Sequence, residues 1–329
     1  MHIRRTVLSV MMVALALPLV GISGVARAQK PLDLATIVVG YPAGGATDTV
    51  ARLVADAIRG SYATSVVVQN RTGAGGQIAA ADVKAMPADG TTLLFTPAFP
   101  MVIFPHVYKD LRYDTLKDFV PVATTHFGTL AFSVGPGVPD DVKTLQDFVA
   151  WAKNNPDKAS FGAPAGGAQH FTGLMFARDA NIKLQLVSYR GGGPSVVDAL
   201  GGHIASVITP LAEVLPSARE GKLRILATTA RQRPTLAPDI PTFFELGFEK
   251  IVVQDWSGFL APAGTPPDIV ARANAAINAA VESPKVRAAM ATLGMEVGTQ
   301  TPAAFAVTVR ESWERYRDIV RESGFKLEQ

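Results

Sequence analysis

Four times along this chain an apolar, β-branched run leads into a glycine-rich loop, and the loop leads into a stretch with helical spacing of apolar residues. That alternation constrains the fold more than any other feature, because strands that alternate with helices build parallel sheets of the α/β class. The first copy is the clearest. Residues 36–40 form the strand, residues 41–48 read Tyr-Pro-Ala-Gly-Gly-Ala-Thr-Asp, and residues 49–59 carry the helical pattern. Val50, Leu53, Val54, Ala57 and Ile58 fall at i, i+3, i+4, i+7 and i+8, one core-facing stripe. The other copies centre on residues 73–76, 162–170 and 191–194. Glycine lets a loop turn tightly and brings backbone N–H groups close to a ligand. A helix N-terminus adds unpaired donors and a partial positive charge. None of the four loops has a basic residue between its glycines, so the pattern predicts a small anion held mainly by backbone.

The first 28 residues are expected to be removed. Arg4 and Arg5 precede an apolar segment at 7–20, and Ala26-Arg27-Ala28 supplies small residues before a cut at Gln29, the layout of an export signal. Pro18, Gly21 and Gly24 and the short apolar length argue against a membrane anchor. The whole chain has 31 Lys and Arg against 28 Asp and Glu. Arg4, Arg5 and Arg27 lie in the signal and no acid does, so the mature chain balances at 28 of each. Its basicity therefore belongs to the signal, and no nucleic-acid partner is expected. With no cysteine, disulfides, thiolate metal sites and a thiol nucleophile are excluded.

Beyond the first copy, strands are predicted at 66–68, 91–96, 120–124 and 130–134, and helices at 77–85 and at 144–153, the latter capped by Thr144. The pattern restarts near His126, with later strands at 184–189, 205–209, 223–229 and 254–260. Residues 261–267 read as a linker, and two helices, at 268–282 and 302–322, close the chain. This predicts two α/β lobes. Residues 29–126 with 254–329 form lobe one and residues 127–253 form lobe two, with the two crossings near His126 and Gln254 acting as a hinge. A cleft between lobes is a favoured ligand position. The alternative is one continuous doubly wound sheet.

The known chemical motifs are incomplete. Gly73-Ala74-Gly75-Gly76-Gln77-Ile78 lacks the last glycine of a dinucleotide fingerprint, and residues 40–45 are not followed by Lys and Ser or Thr. Gly193-Pro194-Ser195 has Val197 in place of the second flanking glycine of a nucleophile elbow. His106, His126, His170 and His203 are scattered, so no metal or other cofactor is expected. Asp48 is predicted to cap the first loop's helix and to bind an amide or a water rather than an anion. His170 is either a capping residue or a donor to a ligand oxygen. Tyr41 and Tyr189 sit at strand ends, where α/β proteins bind ligands. Trp256 is read first as core and second as a cleft wall. Arg71 is read as a solvated or interlobe residue.

Taken together, these loops resemble a known family. Pro42-Ala43-Gly44-Gly45-Ala46-Thr47-Asp48 with Ala51-Arg52 is similar to the signature of the Bug-type periplasmic solute receptors of tripartite tricarboxylate transport systems. The likeness continues through Val68-Gln69-Asn70-Arg71, Ala88-Asp89-Gly90-Thr91-Thr92-Leu93, Tyr189-Arg190-Gly191-Gly192, Gly221-Lys222-Leu223-Arg224, Pro238-Asp239-Ile240-Pro241-Thr242 and Ala261-Pro262-Ala263-Gly264-Thr265-Pro266. It covers essentially all of the mature chain. The resemblance implies a two-lobed type II periplasmic-binding-protein (Venus flytrap) fold with a hinge and an interlobe cleft. It implies a small carboxylate ligand, membrane transporter subunits as partners, a periplasmic monomer and no catalysis. The ligand-binding residues it implies are Ala43, Gly44, Gly45, Ala46 and Asp48, preceded by Tyr41, from lobe one. From lobe two they are Gly166, Gly167, Ala168, Gln169 and His170, with Tyr189 and Gly191 nearby. Two departures stand out. Ala168 takes the place of a usual Ser or Thr, and Ile208-Thr209-Pro210-Leu211 lacks an acid that many relatives have there. The second predicts a less polar distal end of the ligand, aromatic or aliphatic. A ligand sensor feeding a signalling partner, or an α/β hydrolase-like enzyme, are the alternatives.

Overall fold

The computed structural model describes residues 31–293 and 295–325. The expected signal segment, 1–28, lies outside them. Ten strands are present among the described residues. They are β1 (Leu32–Val39), β2 (Ala63–Asn70), β3 (Thr92–Pro97), β4 (Phe119–Val134), β5 (Ser160–Ala163), β6 (Gln185–Ser188), β7 (Ser206–Pro210), β8 (Arg224–Thr228), β9 (Gln254–Pro262) and β10 (Glu296–Val297).

Two parallel sets of strands carry the glycine loops. β1 pairs in parallel with β2 and β3, and β5 pairs in parallel with β6 and β7. Parallel neighbours need a crossover, and the helices supply it: Ala46–Ile58 lies between β1 and β2, Ala168–Asp179 between β5 and β6, and Gly192–Leu200 between β6 and β7. The antiparallel strands β9 and β4 stand between the two sets, in the order β2-β1-β3-β9-β4-β7-β5-β6. β4 does the joining. Its residues 119–129 pair with β9, and residues 130–134 pair with β7 and β8.

The separate strands predicted at 120–124 and 130–134 are therefore one 16-residue strand. The intervening Thr125-His126-Phe127-Gly128-Thr129 breaks the apolar pattern, yet its backbone is satisfied by β9, with β10 adding Val297 opposite His126. The prediction of two closing helices is also corrected. A third, Pro284–Thr292, lies between Pro267–Glu282 and Pro302–Ser323. Pro284 looks like a breaker, but it occupies the first turn, where its missing N–H is harmless, and the Ser283 hydroxyl accepts from the Val286 amide.

The core lies on both faces of this sheet. Val39, Val54, Ile58, Phe95 and Phe259 are fully buried on one side of the first half. Phe132, Phe148, Phe161, Phe176 and Phe243 fill the second half, with Trp256 and Phe305 in the same cluster. Each such side chain contributes about 2–3 kcal/mol of apolar burial. Trp256 packs edge-on against Phe305, with ring centroids 4.9 Å apart, so it is a core residue. The helix Pro302–Ser323 also reaches Ala168–Asp179, where Arg178 pairs with Glu322 at 2.5 Å and Phe171 meets the Tyr316 ring.

Candidate functional site

The first glycine loop is held in shape by its own side chains. Its helix begins at Ala46, earlier than predicted, and the N-cap is Gly45 rather than Asp48. Asp48 lies in the first turn of the helix and reaches back to the loop. Its Oδ2 accepts from the Gly44 amide at 2.8 Å and from Arg52 Nε at 2.8 Å, and its Oδ1 accepts from Asn70 Nδ2 at 2.8 Å. Arg52 is the main reason that the carboxyl sits low, at about 2, with the Gly44 amide and Asn70 assisting. Gly44 has φ +81°, in the left-handed region, whereas Gly45 at φ −73° does not require glycine. Asn70 also donates to the Tyr41 carbonyl, and the Tyr41 hydroxyl donates to the Gly75 carbonyl at 2.9 Å. The first and second glycine loops are thus tied together. Helix geometry leaves the Ala46, Thr47 and Asp48 amides without intrahelical acceptors, while Ala43, Gly44, Gly45 and Ala46 are exposed.

The third loop uses the same device with a different side chain. Gly166 has φ +74°, and its amide donates to His170 Nδ1 at 3.2 Å. The imidazole is 6% exposed and packs against Phe161, Phe171 and Phe325. Burial lowers its pKa, which suits an acceptor nitrogen. Nδ1 therefore serves the loop itself, and only Nε2 is left as a donor. Gly167 is the N-cap of the helix Ala168–Asp179, and Gln169 is half-buried beside it. In the fourth loop the Tyr189 hydroxyl donates to Asp198 at 2.6 Å, and burial, then Asp198, pushes it up to about 12. Gly191, at φ +121°, caps the helix Gly192–Leu200.

A cavity of about 840 Å³ opens between the strands of the two sets. Its walls come from His126–Thr129 of β4, Asp255 and Ser257 of β9, residues 210–213, residues 230–236 and residues 293 and 295–297. Of the residues predicted to bind ligand, Ala46 alone lines it. Ala168 lines a second, far smaller void of about 10 Å³ with Ala98, Phe99 and Tyr316. Asp255 borders both. Tyr41, Ala43, Gly44, Gly45, Asp48, Gly166, Gly167, Gln169, His170, Tyr189 and Gly191 are not in either wall. Arg71 pairs with Asp82 at 3.0 Å, away from both.

Charged groups that sequence reasoning misses line the large cavity: Glu213, Arg231, Arg233, Asp255 and Glu296. Arg231 lies over the Phe244 ring at 4.8 Å, and Arg233 is paired with Glu245 at 3.0 Å. Glu213 accepts from the Thr209 hydroxyl, and the absence of a side chain at Gly192 leaves room for both groups. Glu213 thus brings a carboxylate to the end of the strand that the sequence Ile208-Thr209-Pro210-Leu211 leaves without one. Burial lowers His126 to about 4, so it is neutral at neutral pH. Asp255 could have been found from strand parity. With Trp256 buried, alternation puts Asp255 and Ser257 on the opposite face. Glu213, the pair Arg231 and Arg233, and Glu296 come from three separate segments, and no local signal groups them.

Among the described residues no helix is long and apolar enough to cross a membrane, and no cluster of His, Asp and Glu is arranged to hold a metal. The sequence profile of the tripartite tricarboxylate transporter family receptor matches residues 50–325. BugT of Bordetella pertussis is 34% identical over 300 residues, covering 91% of this chain and 90% of BugT. MatC from Rhodopseudomonas palustris, solved with bound malate, superposes with a TM-score of 0.69 at 29% identity, covering 87% of this chain and 98% of that one. Another R. palustris protein, solved with adipate, reaches a TM-score of 0.74 at 29% identity, covering 89% and 98%. The sheet order, the paired glycine loops and these likenesses agree, and the chain belongs to the tripartite tricarboxylate transporter receptor family, with the α/β periplasmic-binding-protein fold of its Bug members.

Proposed function

We propose that this protein is a periplasmic receptor that captures a small carboxylate in its large cavity and delivers it to a membrane transporter without catalysing a reaction. The observation that carries the reading is the cavity itself. It is about 840 Å³, within the range of small-molecule sites, and it draws its walls from segments on both sides of the β4–β9 crossing. Two lobes, 29–126 with 254–329 and 127–253, close over the ligand by bending at that crossing. Closure follows if the ligand binds the closed form better than the open one.

The carboxylate is held by backbone. Tyr41, Ala43, Gly44, Gly45, Ala46 and Asp48 form one jaw, with Asp48 shaping the loop from behind. Gly166, Gly167, Ala168, Gln169 and His170 form the other, with Tyr189 and Gly191 at its edge. Two things support this: the free amides at the start of Ala46–Ile58, whose first residue lines the large cavity, and the malate and adipate seen in relatives.

A thermal-shift screen of mono-, di- and aromatic carboxylates, with malate and adipate among them, tests the proposal. A ligand at 100 times its dissociation constant stabilises by about 2.7 kcal/mol. For a chain of 329 residues that is a rise of about 4 °C in Tm. If the folded protein melts at the same temperature with every carboxylate, the receptor reading is wrong.

A further inference from the structure

Asp255 borders the large cavity in which the proposed carboxylate would be captured. It belongs to β9 at the position opposite Gly128 of β4, close to where β4 changes partners. It is the residue common to the large cavity, which Ala46 borders, and the small void, which Ala168 borders. One residue of each proposed jaw therefore borders a void that Asp255 also borders.

Nothing around it supplies a compensating positive charge. Among the described residues no Lys, Arg or His is paired with Asp255. The groups that face it are the Tyr41 hydroxyl from the first loop, the Ala98 amide at the end of β3 and the Tyr316 hydroxyl from the helix Pro302–Ser323. Arg315 acts on Tyr316 rather than on Asp255. Elsewhere in the cavity wall Glu213 and Glu296 carry the same sign as Asp255, and His126 is neutral. Arg233 is committed to Glu245, and Arg231 to the Phe244 ring.

The geometry points to Asp255 as a proton-bearing specificity residue: when a carboxylate enters, Asp255 takes up or keeps a proton and donates it as a hydrogen bond to the ligand oxygen. This rests on the carboxylate-receptor reading above. Two carboxylates sharing a half-buried space cannot both stay ionised cheaply, and one shared proton turns repulsion into a charge-assisted hydrogen bond. Burial already pushes Asp255 up to about 6, against the opposing pull of the Ala98 amide, so the proton is available close to neutral pH. The proton comes from solvent, no covalent bond forms, and release of the ligand returns it.

Calorimetric titration of the mature protein with malate or adipate, whichever raises its Tm, tests this between pH 6.5 and 8.5, in two buffers of different ionisation enthalpy. The expected result is uptake of close to one proton at the alkaline end and an affinity that weakens by up to about tenfold per pH unit. Asp255→Asn should bind with little pH dependence and more tightly than wild type at pH 8.5. Wild-type affinity that is flat with pH, with no proton uptake, overturns the inference whether or not the variant folds. Loss of binding in a folded Asp255→Asn overturns it as well, and shows instead an ionised carboxylate reading a ligand amine or hydroxyl. Binding by neither protein at any pH would defeat the receptor reading itself.

Discussion

Replacing Asp48 with Asn separates the shape of the first loop from its charge. The side chain is 2% exposed, and its carboxylate satisfies three donors: the Gly44 amide, Arg52 Nε and Asn70 Nδ2. The amide introduced by Asp48→Asn has the same size but one fewer acceptor oxygen and no charge. The native carboxyl is held at about 2 against an ordinary value of 3.8, chiefly by Arg52. A shift of that size corresponds to roughly 2 kcal/mol at 1.36 kcal/mol per unit. Arg52 is about half exposed, at 49%, so solvent screens part of the pairing and the figure is an upper estimate.

The direction with pH is fixed by the depressed pKa. The stabilisation is fully present above about pH 4 and is lost as pH falls towards 2. For a chain of 329 residues, roughly 2 kcal/mol is about 3 °C in Tm. Asp48→Asn should therefore melt about 3 °C lower than wild type at pH 7, with the gap closing as the pH approaches 2. Carboxylate affinity should fall too, because the single remaining oxygen can no longer serve Asn70 as well as Gly44 and Arg52, and the loop is held less firmly. Calorimetric melts from pH 2 to 7 and ligand titrations at pH 7 measure both effects. A variant as stable as wild type at pH 7, with unchanged affinity, would refute the idea that Asp48 holds the loop.

Gly44 and Gly45 should respond differently to alanine. Gly44→Ala forces a side chain into φ +81° and should lose about 1 kcal/mol along with affinity, whereas Gly45→Ala at φ −73° should leave the fold unchanged; paired denaturation curves decide. Asp255→Asn should raise Tm above pH 6. Its native pKa of about 6 exceeds the ordinary 3.8, so its ionisation opposes folding as pH rises through that window, and melts at pH 4 should show no gain. Gly192→Ala would overlap the Glu213 carboxylate and the Thr209 hydroxyl, and should destabilise by about 1–3 kcal/mol in a urea unfolding series.

The repeating strand, loop and helix units are legible because their signals are local. The apolar stripe on Ala46–Ile58, the left-handed glycines and Thr144, whose hydroxyl accepts from the Asp147 amide to complete a capping box, are all readable within a few residues. β4 is not legible as one strand because its middle is held by β9 and β10, which come far later in the chain, rather than by its own pattern. Pro284–Thr292 escapes a sequence reading because proline at a helix start and proline as a breaker look alike. The loops are readable as loops, but the bonds that Asp48 and His170 make to Gly44 and Gly166 are not fixed by spacing alone.

Glu213 shows why the charged wall of the cavity is hidden in the sequence. The expectation of a less polar distal end rests on the missing acid in Ile208-Thr209-Pro210-Leu211. A helix starts at Leu211, and Glu213 in its first turn points back to Thr209, so the carboxylate reaches the strand end from further downstream. The Thr209 hydroxyl occupies one lone pair of Glu213 and leaves others for a ligand donor. Arg231 and Arg233 stand in the same wall. Arg231 and Arg233 keep their own partners, Phe244 and Glu245, and all three charged groups are exposed, so they can meet a polar ligand end without first being stripped of water. On the proposed carboxylate-receptor reading, the free lone pairs of Glu213 are open to a donor at the ligand's far end, and the screen should rank carboxylates bearing such donors above their unsubstituted analogues.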